Sequence, residues 1–557
     1  MEKWKVGAGK IENDLRDPLI SSSARKHVTK TFSALVGLLP PNERTKPQVL
    51  LVPGGVQEFR NDTDRELIFR QESNFYYLTG CAVPSSFLLA VSQAGTSLEQ
   101  QAQLDLFIPK AELADIMWSV PPPSLSDASE LFDATRIDHP AALPSTIETV
   151  LKAYPDALFH TLPKSSPLFP ALPSQYTDLV LQSNSAVTDA YLLPALHRAR
   201  LVKDAAEIAL IRKANEISSR AHETVMRVLG QAVQGKIKAS KEAGVDRPLL
   251  PSEWLIETEA EAEAIFVASC RREGSIHQAY PPIVAASSRA STLHYCCNDK
   301  AFAWGPIAPG AHLNRDALTS PSTKQFTPQV LLIDAGCEWN NYAADITRTM
   351  PVGNGGKFTK EAREIYELVL EMQKASFDAL KPGFHWDGIH SICHHVLVKG
   401  FQRLGIFKSP NDAGSGSWNS EEAILAEGVG AAFFPHGVGH SLGLDVHDVP
   451  SASKPKDNAT IPDSSPDHES FFNYLRLRLP LEEGMVVTVE PGIYFSPHLL
   501  APIRDSKHIN HDVLARYEPV GGVRIEDVVV ITESGYENLT TVRSDVEWVE
   551  GVCSGVA

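Results

Sequence analysis

The sequence predicts a chain of two domains that mixes helices and strands: a self-contained α/β domain over residues 1–195, then a second domain over residues 196–557 that carries a cluster of acidic and imidazole side chains. Three observations predict it. At 557 residues the chain exceeds what one hydrophobic core usually supports. Strand-length apolar runs, closed by glycine, proline or polar residues, fill its first part. Near Pro194 the composition changes, and residues 196–229 turn to helical periodicity with good helix formers.

In the first domain the runs VLLVPGG from Val49, NFYYLTG from Asn74, SFLLAVS from Ser86 and LDLFIPK from Leu104 read as strands. Proline-rich spacers follow at Pro121 to Pro123 and between Leu162 and Pro173. The second domain opens on the helix of residues 196–229, and residues 231–252 read as a basic, proline-ended loop. The segment WLIETEAEAEAIFVASCRREG is a further helix, ended by Gly274. Ser/Asp/Pro-rich stretches at 409–420 and 451–470 read as surface insertions. His385, His390, His394 and His395 lie on another helix as ordinary core or surface residues.

Charge and composition exclude several classes of partner. The net charge is −17 with no Lys/Arg run, so neither nucleic acid nor an anionic membrane is expected. The N-terminal MEKWKVGAGKIENDL has no apolar core, and no apolar segment is long enough to span a bilayer. Seven cysteines without CxxC spacing are too sparse for a disulfide framework. A soluble protein of the reducing cytoplasm is expected.

The chemistry centres on VLLIDAGCEWNNYAADITR, residues 330–348. Residues 330–333 form a buried-strand run ending at Asp334, residues 336–341 supply turn chemistry, and Asp345 follows a second short run. One Asp-Ala-Gly alone would read as a turn cap. Two converging buried carboxylates, however, repel unless a cation or a shared proton neutralises them. Two more acids lie in apolar surroundings: Glu490 ends the run MVVTVE, and Glu526 sits inside GVRIEDVVVI. His436, His440 and His447 occupy the glycine-rich HGVGHSLGLDVHD. That segment lacks the glutamate of the zinc-protease signature HExxH, so His436 and His440 need not both be ligands. Asp334, Asp345, His440, Glu490 and Glu526 together make an oxygen-rich site, suited to Mn, Co or Fe rather than to a thiolate-bound structural zinc. Four negative charges approximately balance two dications, which can activate a water between them and polarise a carbonyl.

These motifs resemble a known family, the proline-specific metallopeptidases of pita-bread fold, Xaa-Pro aminopeptidase and the Xaa-Pro dipeptidase prolidase. The resemblance rests on DTDRELIFRQESNFYYLTG from Asp62 and on IDAG, ADITR, PHGVGHSLGLDVHD, VEPGIYF and GGVRIED in that order. It implies an α+β pita-bread catalytic domain after the α/β domain, two divalent ions per subunit, most readily Mn(2+), and a homodimer acting on proline-containing peptides. Residue by residue, it implies that Asp345 and Glu526 bridge the metals, that Asp334 chelates one, and that His440 and Glu490 complete the other. Glu490 would also be the general base, and His447 would stabilise the oxyanion. His294 and His436 would line the substrate site, and Tyr280, Thr347 and Arg524 would orient the carboxylates. Arg476 stands where prolidases hold the dipeptide's C-terminal carboxylate, with Arg478 close by. The implied function is an Xaa-Pro aminopeptidase, with a dipeptide-restricted prolidase as the alternative. A metal-free creatinase-like hydrolase, a methionine aminopeptidase and a non-catalytic binding protein of the same fold fit the residues less well. The chain departs from many relatives in the loop AASSRASTLHY from Ala285, where they carry a glycine-rich turn.

Overall fold

The computed structural model describes residues 23–92, 102–114, 116–233, 255–302, 326–412, 416–454 and 469–557. Most of the loop expected at 231–252, part of the insertion at 409–420 and most of that at 451–470 lie outside the described residues. The chain divides into two compact units between Arg200 and Leu201, with Ala205–Glu207 returned to the first.

The first unit is a six-stranded mixed sheet of β1 (Gln48–Pro53), β2 (Phe87–Ser92), β3 (Gln103–Phe107), β4 (Arg136–Asp138), β5 (Leu158–His160) and β6 (Ala186–Thr188), ordered β4-β3-β2-β1-β5-β6. The apolar runs at Val49, Ser86 and Leu104 supply β1 to β3, and β1 is buried along its whole length. That pattern fits a central strand covered on both faces. Val49, Leu51, Leu89 and Phe159 pack with Ile147 and Val180 of helices Leu143–Ala153 and Ser174–Leu181. The run NFYYLTG is not a strand but the helix Ser73–Thr79, buried throughout. Its ends decide this: the Glu72 side chain accepts the Phe75 N–H at the start, and Gly80 takes a left-handed conformation at the finish. A short apolar run carries no periodicity that separates the two states.

His160, on β5, is fully buried; its Nε2 meets Gln48 Oε1 at 2.7 Å and its Nδ1 has no partner among the described residues. Burial pushes the ring down to about 4. The unfolded ring titrates near about 6.5, so the unfolded chain takes up the proton first as pH falls. The stability that the neutral ring contributes is therefore present above about pH 6.5 and lost progressively down to pH 4, on the order of 3 kcal/mol in all. In urea titrations, the advantage of wild type over His160→Asn should shrink across that interval. A pH-independent difference between the two would contradict it.

Residues 196–229 do not form one helix. Helices Leu192–Leu201 and Ala205–Val233 are separated where Val202 bridges to Met485 and the Lys203 N–H donates to the Gly484 carbonyl at 2.9 Å. Pairing with a distant segment overrides local helix preference there. The next helix is Glu259–Arg272, opened by a reciprocal Thr258/Glu261 capping box rather than at Trp254, which lies outside the described residues. The strands of the second unit are β7 (Ile283–Ala286), β8 (Gln329–Asp334), β9 (Glu338–Trp339), β10 (Tyr342–Ala343), β11 (Thr347–Val352), β12 (Val486–Val489), β13 (Gly492–Tyr494), β14 (Gly522–Arg524), β15 (Asp527–Ile531) and β16 (Tyr536–Asn538). They form small sheets ordered β11-β8-β7, β12-β15-β16, β13-β14 and β10-β9. Helices Lys360–Ala379 and Trp386–Leu404 contribute Ile365, Val369, Ile389 and Leu397 to the core they share with Leu332, Val487 and Val529. Of the histidines given no role, His390 and His394 are core residues with Nε2 atoms 3.2 Å apart, His385 caps its helix and His395 pairs with Glu421.

Candidate metal centre

Asp334 ends β8, and Thr347 of β11 is its antiparallel partner. Between them the chain turns back through the β9–β10 hairpin, whose tip residues Asn340 and Asn341 have φ of 48° and 64°. Asparagine tolerates that left-handed region well, so a two-residue turn closes there. The return strand passes so close that a Cβ on Gly336 would stand 1.9 Å from the Ala344 carbonyl oxygen. Glycine at 336 is thus what lets Asp345 come back beside Asp334. The Tyr280 hydroxyl bonds Asp334 Oδ1 at 2.5 Å and also Asp345 Oδ1. One proton serves two carboxylates, which leaves negative charge uncompensated.

Glu526 differs from the sequence expectation, since it is not inside a strand. It falls at the break between β14, which pairs with β13, and β15, which pairs with β12. At the break its N–H turns to the Thr347 carbonyl at 3.1 Å, and the Thr347 hydroxyl donates to its Oε2 at 2.7 Å. Glu490 follows β12, with its N–H on the Val438 carbonyl at 2.8 Å. His440, in the loop between, pairs through its backbone with Thr488. Its Nδ1 faces the Ser441 carbonyl at 3.1 Å and so carries the proton, leaving the Nε2 lone pair directed at Asp345 Oδ2, 3.4 Å away, and Glu490 Oε1, 3.5 Å away. Single donor atoms of Asp345, His440 and Glu526 all lie within 4.8 Å of one another.

The electrostatics are those of a site short of positive charge. Burial, reinforced by the Asp334 and Glu490 charges, pushes Asp345 well above the carboxylate range. Burial and the Asp345 and Asp334 charges do the same to Glu526, and burial with Glu526 does so to Glu490. Burial holds His440 down to about 4, a neutral imidazole ready to ligate. Arg524 is the one cation bonded to these acids among the described residues: Nη2 to Asp334 Oδ2 at 2.5 Å, Nε to the Thr347 hydroxyl at 3.0 Å, Nη1 to the Tyr494 hydroxyl at 2.9 Å. Four carboxylates, a neutral imidazole and no thiolate suit hard divalent cations.

The remaining residues surround this set. His436 has both ring nitrogens engaged, Nδ1 on the Gly437 carbonyl and Nε2 on the Tyr494 hydroxyl, each at 2.8 Å, with Glu490 Oε2 3.8 Å from Nδ1. His447 is exposed and stands edge-on to His440, ring centroids 4.5 Å apart. His294 is exposed and close enough to act electrostatically on His436. It follows a turn in which Ser287 adopts φ of 57°, the left-handed conformation that a glycine would take more easily. Tyr494, which ties His436 to Arg524, was not anticipated; in VEPGIYF an aromatic on a short strand looks like core.

A family model described as metallopeptidase family M24 matches residues 209–533, and one described as aminopeptidase P, N-terminal domain, matches residues 25–159. The chain belongs to metallopeptidase family M24. It is 38% identical over 507 residues, 90% of this chain and 91% of the relative, to a Paracoccidioides brasiliensis protein named "Probable Xaa-Pro aminopeptidase PEPP". It is similar in structure to aminopeptidase P from E. coli in its low-pH form, at 26% identity and a TM-score of 0.67, covering 95% of this chain and 98% of that one. The Pseudomonas aeruginosa aminopeptidase PepP matches at 27% identity and a TM-score of 0.66, with 96% and 98% covered. An M24 member with an aminopeptidase P N-terminal domain is a metal-dependent hydrolase with an α/β domain ahead of a pita-bread catalytic domain. No helix among the described residues is long and apolar enough to cross a membrane.

Proposed function

We propose that the chain is an Xaa-Pro aminopeptidase, cleaving the bond between an N-terminal residue and a following proline, with two Mn(2+) ions held by Asp334, Asp345, His440, Glu490 and Glu526. The observation that carries it is that donor atoms of Asp345, His440 and Glu526 cluster, with Glu490 facing the same neutral imidazole and the Tyr280 hydroxyl joining Asp334 to Asp345, and too little positive charge to balance the four carboxylates. Asp345 and Glu526 would be shared between the ions, Asp334 would bind one, and His440 and Glu490 the other. The ions would supply Lewis acidity, polarising the scissile carbonyl and acidifying the attacking water.

The chain's own groups do the rest. Glu490, as its carboxylate, takes the proton of the attacking water and passes it to the proline nitrogen. His447 donates a hydrogen bond to the developing oxyanion, and His294 lines the same open side. His436, fixed by Tyr494, forms the wall beside Glu490. Tyr280, Thr347 and Arg524 hold the carboxylates in place, which keeps the set preorganised. Proline's tertiary amide has no N–H for a general peptidase to grip, so a dedicated pocket is a reasonable need. A cytoplasmic homodimer is part of this reading, as the family resemblance implies.

Arg476 decides between longer peptides and dipeptides. Arg478 is committed to Asp387 at 2.6 Å and lies over the Phe472 ring. Arg476 is exposed, has no partner among the described residues and acts electrostatically on His440, His447 and Glu490. Its planar fork can take a carboxylate bidentately. A dipeptide presents that carboxylate directly after proline, and a tripeptide one residue further out. Arg476→Ala should therefore lower kcat/KM for an Xaa-Pro dipeptide by roughly a hundredfold, the loss of a charge pair that the bound dipeptide itself would enclose, and affect an Xaa-Pro-Xaa tripeptide far less. Parallel losses on both substrates, or none, would remove Arg476 from the site. A wild-type preference for the dipeptide would replace the aminopeptidase reading with the prolidase one.

A further inference from the structure

Lys203 and Asp448 form an ion pair, Nζ to Oδ2 3.0 Å, in which each side chain is only 1% exposed. Lys203 belongs to the catalytic unit and is fixed by its N–H on the Gly484 carbonyl. Asp448 directly follows His447. Its N–H donates to the Ser441 carbonyl at 2.9 Å, closing the neck of a loop, residues 441–448, that begins one residue after His440. The loop is seated by the Leu442 N–H on the Val486 carbonyl and by its Gly443 carbonyl on the Ala343 N–H.

Two further observations mark this neck. A Cβ on Gly443 would stand 2.5 Å from Asp448 Oδ2 and 3.0 Å from Lys203 Cε, so the ion pair packs directly on the loop's own backbone. Val449 has φ of 45°, a left-handed conformation that a β-branched residue adopts only where its surroundings impose it. Ser453 braces it, its hydroxyl on the Val449 carbonyl at 3.1 Å. A buried ion pair is seldom more stable than an apolar pair of the same size. Its place at a strained loop neck beside His447 calls for a geometric reason.

We propose that Lys203 and Asp448 are positioning residues for the reaction: their ion pair fixes the neck of the 441–448 loop and thereby the place of His447 beside His440. Neither touches substrate. The inference rests on the role given to His447 above, and the test separates the two. The double variant Lys203→Met/Asp448→Asn removes both charges while keeping similar shapes, so no unpaired charge remains buried. It should melt near wild type and bind the same amount of manganese, while kcat on an Xaa-Pro-Xaa tripeptide falls at least about tenfold, as when the support of a site residue is lost. KM should stay near wild type. Gly443→Ala, which displaces the pair and leaves both charges, should reproduce that split; it decides alone if the double variant does not fold. Because the pair acts through His447, neither change should cost further kcat in a His447→Ala background. Wild-type kcat in the double variant and in Gly443→Ala, or a fully additive loss on His447→Ala, would overturn the positioning role. A wild-type kcat in His447→Ala alone would instead overturn the reading of His447, and the pair would have nothing there to position.

Discussion

Glu526→Gln should give a protein that no longer cleaves Xaa-Pro peptides or gains stability from manganese, and that melts higher than wild type when both are metal-free. The two effects have one cause. In the metal-free fold the Glu526 carboxylate is buried against Asp345 and Asp334, and its pKa lies well above the ordinary value. A raised carboxylate contributes stability that is fully present below the unfolded pKa, near about 4.3, and is lost as pH rises through the folded value. At neutral pH, then, this charge opposes folding until cations compensate it. Glutamine keeps the shape and the Thr347 hydrogen bond while deleting the charge, so the metal-free fold gains. On the ligand assignment proposed above, the ions would lose a shared ligand, and activity should fall beyond the roughly 10²–10³-fold that one lost electrostatic contact costs. Asp345→Asn should behave alike, since the Asp334 and Glu490 charges beside it push it the same way. Thermal scans with and without EDTA, alongside an Xaa-Pro-Xaa assay, read both effects. Near-normal turnover with full metal occupancy in either variant would defeat the ligand assignment.

Arg524→Met should be the most destabilising single change in the site. The side chain is almost fully buried, and it bonds Asp334, Thr347 and Tyr494 at once. Methionine replaces only the unbranched stem and donates to none of them. Asp334 would be left as a buried carboxylate with no cation, and removing one partner of such a pair costs roughly 3–5 kcal/mol. The metal site should suffer as well, because Arg524 and Tyr280 between them hold Asp334, and losing an outer partner of a ligand lowers metal affinity or activity by roughly 10–100-fold. Arg524→Lys should recover little, since a single ammonium cannot reproduce three bonds made from one planar fork. Urea denaturation and manganese titration of the two variants measure this. Wild-type stability in Arg524→Met would mean that Asp334 finds its compensation elsewhere.

The parts of this molecule that were legible in the sequence are those where local pattern and tertiary role agree. Residues 330–333 read as a buried strand because β8 is covered on both faces, and HGVGHSLGLDVHD read as a loop because its glycines permit backbone approaches that no other residue would. Misreadings fell where a tertiary contact overrode a local run. NFYYLTG has the composition of a strand, and only the Glu72 and Gly80 caps reveal the helix. The helical periodicity of residues 196–229 gives no warning that Val202 and Lys203 leave the helix to pair with Gly484 and Met485. The uninterrupted apolar pattern around Glu526 hides a break between two sheets, and that break is what turns the carboxylate toward Thr347. Periodicity measures burial on a face, and Glu526 is buried on either account. Which sheet a residue pairs with, and hence where its side chain converges with residues 180 or so positions earlier, is a long-range fact that local pattern does not encode. The same limit hid Tyr494 and the Lys203–Asp448 pair, whose partners are distant in the chain.

The most direct test of the account is to strip the protein with EDTA, reload it with increasing manganese, and follow cleavage of an Xaa-Pro-Xaa tripeptide and of the matching Xaa-Ala-Xaa tripeptide. The stripped protein should cleave neither. Reloading should release the free N-terminal residue from the proline peptide alone, with activity reaching its plateau at two manganese ions per chain. Cleavage by demonstrably metal-free protein, or equal rates on the two peptides after reloading, would contradict it.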